Sequence, residues 1–256
     1  MIAHAAALVL AGVGAGLAGS IAGIASLVSY PALLASGLPP LAANVTNTTS
    51  MLATTVGAAL GSRRELAGQW ARLRVLMGLS AAGGLLGAGL LLITDAATFE
   101  AVVPWLVGLG GVLLLARDRL RSRLERRRAA PTNPTRRVPH TVLGALLIVI
   151  VGVYGGYFGA GVGIIFLTVL ALQGPAEPLA VTNAVKNVAS GTANVVASTA
   201  YVFVAPVDWP SVVALSAGAL IGSWIGPAAV RVTPEKPLRW AIGLCGLGLA
   251  AWLALS

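Results

Sequence analysis

The chain has 256 residues, of which 57% are hydrophobic and 10% charged, with a net charge of +9 and a mean hydropathy of +0.88. A water-soluble globule has no way to bury that much apolar surface, so the composition excludes one and points to an integral membrane protein. Apolar runs near 20 residues recur along its whole length, each enough to cross about 30 Å of hydrocarbon, and the predicted fold is an all-α polytopic membrane protein.

The N-terminal stretch MIAHAAALVLAGVGAG lacks the basic n-region of a cleavable signal peptide and reads as part of the mature fold. Ile2 to Ala35 is Gly-rich and too long for one ordinary crossing, and three spans follow at about Leu41 to Gly61, Leu73 to Ile93 and Ala101 to Ala116. Nine of the 17 basic residues then fall between Arg117 and Arg137, with only Asp118 and Glu125 as counter-charges. This segment reads as a cytoplasmic loop beside anionic lipid, not as a nucleic-acid-binding arm. The second half opens on another long Gly-rich stretch, Thr141 to Leu172, followed by spans at about Leu179 to Val204, Pro210 to Val230 and Leu238 to Leu255. The expected organisation is an N-terminal transmembrane repeat over 1–116, an Arg-rich cytoplasmic linker over 117–140 and a C-terminal transmembrane repeat over 141–256. The 32 glycines and 14 prolines suit closely packed and broken helices, where neighbours re-satisfy interrupted backbone ladders.

The halves align with one another. AGSIAGIASLVSYPALL, from Ala18, and YGGYFGAGVGIIFLTVL, from Tyr154, place Gly19 on Gly155 and Gly23 on Gly159. After an insertion around Gly174 to Pro178, ANVTNTTS meets TNAVKNVAS, which sets Asn44 on Asn183 and Thr48 on Asn187. Arginine placement gives the orientation. Arg63, Arg64, Arg72 and Arg74 mark the loop after the second element of the first half as cytoplasmic, whereas Arg231, Lys236 and Arg239 fall one loop later in the second half. With the Arg-rich linker inside, the positive-inside rule then favours inverted repeats. Each Gly-rich stretch must enter and return as a broken helix or re-entrant hairpin, and both termini lie outside. An eight-pass arrangement with parallel halves is the alternative. Trp70, Trp209, Trp240 and Trp252 lie near span ends, as interfacial anchors do.

All eight acidic residues fall in loops or at span ends, and His4 and His140 are near ends too. That leaves no proton relay, no Ser beside a His base and no HExxH, so neither an enzyme nor a cofactor is indicated. The single cysteine, Cys245, excludes an internal disulfide and a Cys-rich metal site. Inside remain Lys186 and neutral hydrogen-bonding side chains: Asn44, Thr46, Asn47, Thr48, Asn183, Asn187 and Asn194. Asn183, Lys186 and Asn187 share a helix face at the i, i+3, i+4 spacing, and Asn44, Asn47 and Thr48 repeat it. An ammonium in hydrocarbon costs roughly 3 kcal/mol or more on insertion scales, and a bound anion is its natural counter-charge. Breaks within GGYFGAGVG and AGSIAGIAS would turn half-helix N-termini and backbone N–H groups toward the same anion. The bland readings stay beside this one: Lys186 snorkels to the nearer interface, single Asn and Thr residues act as interhelical glue, and the i, i+4 glycines are packing contacts.

AANVTNTTSMLATTVGAALGSRREL (Ala42 to Leu66), YGGYFGAGVGI (Tyr154 to Ile164), TNAVKNVAS (Thr182 to Ser190) and PVDWP (Pro206 to Pro210) resemble the recurrent blocks of the TauE/SafE sulfite exporter family, over nearly the whole chain. The resemblance implies a bacterial-type, multi-pass plasma membrane exporter or permease of small sulfur-containing oxyanions such as sulfite, sulfonates or thiosulfate. In the first half GIASLVSYP has Ala25, Ser26, Leu27 and Ser29 where the family is glycine-rich, which favours the second half as the tighter side of a site. The expected substrate-binding residues are Asn44, Asn47, Thr48, Asn183, Lys186, Asn187, Gly159, Gly161 and Gly163. The expected partners are a small oxyanion, the lipid bilayer and a second copy in a homodimer, with no nucleic acid and no metal. The competing functions are a membrane scaffold or assembly subunit, a permease for another small anion such as a carboxylate, and a cation or metal permease, for which embedded acidic or His ligands are missing.

Overall fold

The computed structural model describes residues 2–129, 142–173, 177–229, 244 and 247–255. The described residues form helices α1 (Ile2–Ala22), α2 (Ser26–Ala35), α3 (Pro40–Ser50), α4 (Leu52–Gly61), α5 (Arg63–Leu66), α6 (Trp70–Ile93), α7 (Ala96–Ala129), α8 (Val142–Tyr157), α9 (Val162–Gln173), α10 (Leu179–Val204) and α11 (Trp209–Ala229). Residues 247–255 are helical as well. Among these, His4–Ile21, Trp70–Ile93, Ala96–Ala116 and Trp209–Gly226 are long and apolar enough to cross a membrane, and the chain is a multi-pass membrane protein.

Both long Gly-rich stretches are broken helices, and the breaks fall on aligned residues. α1 stops at Gly23, whose φ of +75° only glycine adopts without strain, and the Gly23 N–H closes the last turn onto Gly19 O at 2.8 Å. α8 stops the same way at Gly159, with φ +79°. The chain then restarts as α2 and α9. α2 ends at Ser36 and Gly37, and Pro39–Pro40 prevents continuation while Pro40 opens α3.

The element expected as one span over Leu41 to Gly61 is interrupted at Met51, between α3 and α4. Its run of hydroxyl residues supplies the cause. Thr49 and Ser50 hydrogen-bond Val45 O and Thr46 O, each at 2.8 Å, and Thr54 bonds Met51 O at 2.7 Å. Such back-bonding competes with the ladder and bends helices. Its counterpart α10, with fewer consecutive hydroxyls, runs unbroken for 26 residues.

The Arg-rich segment expected as a linker from residue 117 does not begin with a break. α7 is 34 residues long and continues to Ala129, about 51 Å at 1.5 Å per residue, against roughly 30 Å of hydrocarbon. Its first turn is held by Asp95, whose carboxylate accepts from the Thr98 N–H at 2.8 Å and the Thr98 hydroxyl at 2.7 Å. The rest of the linker from residue 130, His140, Trp240, Cys245 and the loop with Arg231, Lys236 and Arg239 lie outside the described residues. So do residues 174–176 of the insertion and the start of the last span. Trp70, Trp209 and Trp252 are 63%, 50% and 62% exposed, consistent with interfacial anchoring.

The helices of the two sequence halves exchange partners. α1 packs along α11, and α8 packs along α6. In both pairs glycines let backbones touch: Gly12 and Gly16 lie against Leu215 O and Ala219 O, and Gly83 and Gly87 lie against Val149 O and Val153 O. Close backbone approach replaces the hydrophobic drive that lipid surroundings remove. The breaks themselves meet at the centre, where Gly163 N–H donates to Gly23 O at 3.2 Å. A Cβ on Gly23 would stand 2.5 Å from Gly163 Cα.

Candidate functional site

Beside that meeting point is a cavity of about 50 Å³. Its walls come from the ends of both breaks, through Gly19, Ser20, Gly23, Ser26, Gly159 and Gly163, and from the facing α4 and α10. Lys186, Asn187, Ser190, Gly191 and Asn194 of α10 stand opposite Thr54, Thr55 and Ala58 of α4, with Thr48 of α3 at the junction. Among the described residues the lining holds one ammonium and no carboxylate. The N-terminal turns of α2, at Ser26, and of α9, at Val162 and Gly163, border the space, as do the C-terminal ends of α1, at Gly19 and Ser20, and of α8, at Phe158 and Gly159, so two helix ends of partial positive charge flank it beside two of partial negative charge.

Lys186 is 1% exposed and thus lies well inside the packed helices. Its place follows from the α10 pattern: Thr182, Lys186, Ser190, Asn194 and Ser198 recur every four residues and form one polar stripe, with Asn183 and Asn187 beside it. Thr182, Lys186 and Ser198 on that stripe are fully buried.

Of the residues expected to bind substrate, Thr48, Gly159, Gly163, Lys186 and Asn187 line the cavity. Asn44, Asn47, Asn183 and Gly161 do not, and three of these have other engagements. Asn44 Nδ2 donates to Tyr157 O at 2.9 Å, at the end of α8. Asn183 Nδ2 donates to Ser20 O at 2.9 Å, near the end of α1, and Asn187 Nδ2 reaches the same oxygen at 3.3 Å. Asn47 accepts from the Ser29 hydroxyl and donates to Ser26 Oγ at 3.1 Å, which fixes the start of α2. A helix that ends inside a membrane leaves carbonyls without intrahelical donors, and these amides supply them. Tyr201 adds a hydroxyl to Gly156 O. Through Asn44, Asn183 and Asn187, each half satisfies the broken helix of the other.

Both halves contribute to the cavity. The first supplies Gly19, Ser20, Gly23, Ala25, Ser26, Thr48, Thr54, Thr55 and Ala58. Sequence reasoning missed Thr54, Thr55, Ser190 and Gly191 as wall residues. The signal was present in Gly191, since a side chain there would collide with Thr55, but a glycine on a membrane helix reads equally as a packing contact.

A family model described as "Sulfite exporter TauE/SafE" matches residues 8–253. The chain is 27% identical over 221 residues to a "Probable membrane transporter protein" of Haemophilus influenzae, covering 86% of this chain and 82% of that one. It is 26% identical over 237 residues to a "Probable membrane transporter protein ORF9" of Sinorhizobium sp, covering 92% and 87%. No solved structure gives a significant match.

Proposed function

Because the chain belongs to the sulfite exporter TauE/SafE family of multi-pass membrane transporters, we propose that it exports small sulfur-containing oxyanions across the bacterial plasma membrane. Sulfite, thiosulfate and organosulfonates form the class. The observation that carries this is the cavity between the two helix breaks, where an ammonium, two helix N-termini and several hydroxyls converge without a carboxylate in the lining.

An oxyanion there gains the Lys186 charge and charge-assisted hydrogen bonds from Lys186 and Asn187, with Thr48, Thr54, Thr55 and Ser190 as neutral donors. The lysine is a compact point charge, so binding is reversible in a way that a bidentate arginine clamp would oppose. Glycine at 19, 23, 159 and 163 keeps the walls free of side chains where backbone meets ligand.

On this reading the chain divides into an N-terminal repeat over 1–116, a linker over 117–140 and a C-terminal repeat over 141–256, the repeats being inverted. Asn44, Asn47 and Asn183 act by holding the breaks, while Lys186, Asn187 and Thr48 contact the anion. Rocking of the halves about Gly23 and Gly163 alternates access. A dianion leaving a negative interior follows the potential, which contributes roughly 2.3 kcal/mol per charge per 100 mV. No bond is made or broken in this cycle, so the protein acts as a carrier and not as an enzyme.

Purified protein screened against sulfite, thiosulfate, taurine-like sulfonates and carboxylates tests the reading by thermal stabilisation. A substrate at 100 times its Kd raises stability by about 2.7 kcal/mol, and one of the sulfur oxyanions is expected to do so. A scaffold protein would respond to none of them, and a carboxylate permease to carboxylates alone.

A further inference from the structure

A second polar cluster lies outside the cavity, at the start of α10. Arg72 of α6 holds the Glu177 carboxylate, with Nη1 2.7 Å from one oxygen and 3.0 Å from the other. The Thr182 hydroxyl donates to the same carboxylate at 2.9 Å. The side chains of the pair are 23% and 12% exposed. Arg72 Nη2 is buried and has no hydrogen-bond partner among the described residues. Glu177 immediately precedes Pro178, the N-cap of α10, so its carboxylate is at the positive end of a 26-residue helix.

The surroundings of this carboxylate are those a small anion requires: a guanidinium, a buried hydroxyl and a helix N-terminus. Thr182 stands one turn before Lys186 on the same face, about 6 Å along the helix axis. A part-buried ion pair adds little net stability by itself, and a buried guanidinium nitrogen without an acceptor among the described residues is costly. Both features fit a place where the acceptor changes better than one built only to hold α6 against α10.

We propose that Arg72, Thr182 and the N-terminus of α10 form a second anion subsite, occupied in this conformation by the tethered Glu177 carboxylate. A small oxyanion or carboxylate on its way to or from Lys186 displaces Glu177 and takes its place on Arg72, where Nη2 provides the additional donor. The inference rests on the anion-transport reading of the cavity.

The full-length protein in proteoliposomes tests it through the concentration dependence of labelled sulfite flux and of sulfite-induced thermal stabilisation. Glu177→Gln removes the tethered competitor and is expected to lower the half-saturating sulfite concentration by about fivefold, whereas Arg72→Gln raises it by about as much. The double variant behaves like Arg72→Gln, because losing the competitor gains nothing without the subsite. A merely structural ion pair predicts the opposite for Glu177→Gln, an unchanged or raised half-saturating concentration, and that result overturns the proposal. If Arg72→Gln fails to fold, the Glu177→Gln measurement alone decides. Failure of the transport reading looks different: the wild type shows no sulfite response, or Lys186→Met retains it in full.

Discussion

The amide of Asn44 donates to Tyr157 O and that of Asn183 to Ser20 O, both at 2.9 Å, and each acceptor lies near the end of a broken helix from the opposite half of the sequence. Asn44→Ala leaves a buried carbonyl without its donor and is expected to destabilise the protein by about 1–3 kcal/mol. Asn183→Ala is milder, because Asn187 still reaches Ser20 O at 3.3 Å. Thermal unfolding in detergent without ligand checks the order of the two. The buried lysine and its Asn face were legible in the sequence from composition and helical spacing alone. The partners of the amides were not, because the acceptors are backbone atoms 113 and 163 residues away, and any backbone carbonyl looks alike in a sequence. Asn44 and Asn183 thus hold helix ends together, while Lys186, Asn187 and Thr48 line the cavity.

Among the elements, the breaks in α1–α2 and α8–α9 were readable because glycine spacing repeats between the halves, with Gly23 and Gly159 both at positive φ. The break at Met51 was not, since it arises from hydroxyls competing for carbonyls within an otherwise helical pattern. Position in the fold decides what a glycine is worth. Gly37, with φ +92°, has nothing within 4 Å of an added Cβ, so Gly37→Ala costs only the left-handed penalty of about 1–2 kcal/mol. Gly23→Ala adds a collision with the Gly163 backbone and is expected to abolish the folded, monodisperse protein on size-exclusion chromatography. At the start of α7, the Thr98 N–H and hydroxyl hold the Asp95 carboxyl below its ordinary range. A lowered folded-state value means that this cap stabilises the helix at neutral pH and is lost as pH falls through that value. Protection of the Thr98 and Phe99 amides, relative to their intrinsic exchange at each pH, should therefore be high at neutral pH and fall in acid, and be low at both in Asp95→Ala.

At the scale of the whole molecule, α1 is packed on α11 and α8 on α6, and among the described residues both buried apolar clusters draw on the two halves. The central contact between Gly23 and Gly163 joins the two helix breaks, with the cavity directly beside it. The proposed inverted repeats predict that the loops around Arg64 and Lys236 share the same, cytoplasmic side. In a Cys245→Ser background, Arg64→Cys and Lys236→Cys should both resist a membrane-impermeant thiol reagent in intact cells and react in inside-out vesicles; parallel halves predict that they differ. The central claim is that the buried ammonium binds the transported anion. Labelled sulfite flux in proteoliposomes of wild-type and Lys186→Met protein, matched for folded amount by size-exclusion chromatography, tests it most directly. Loss of a charge-assisted contact predicts a fall in flux of at least about tenfold, together with loss of sulfite-induced thermal stabilisation. Lys186→Met protein that carries sulfite at the wild-type rate and half-saturating concentration would contradict the account.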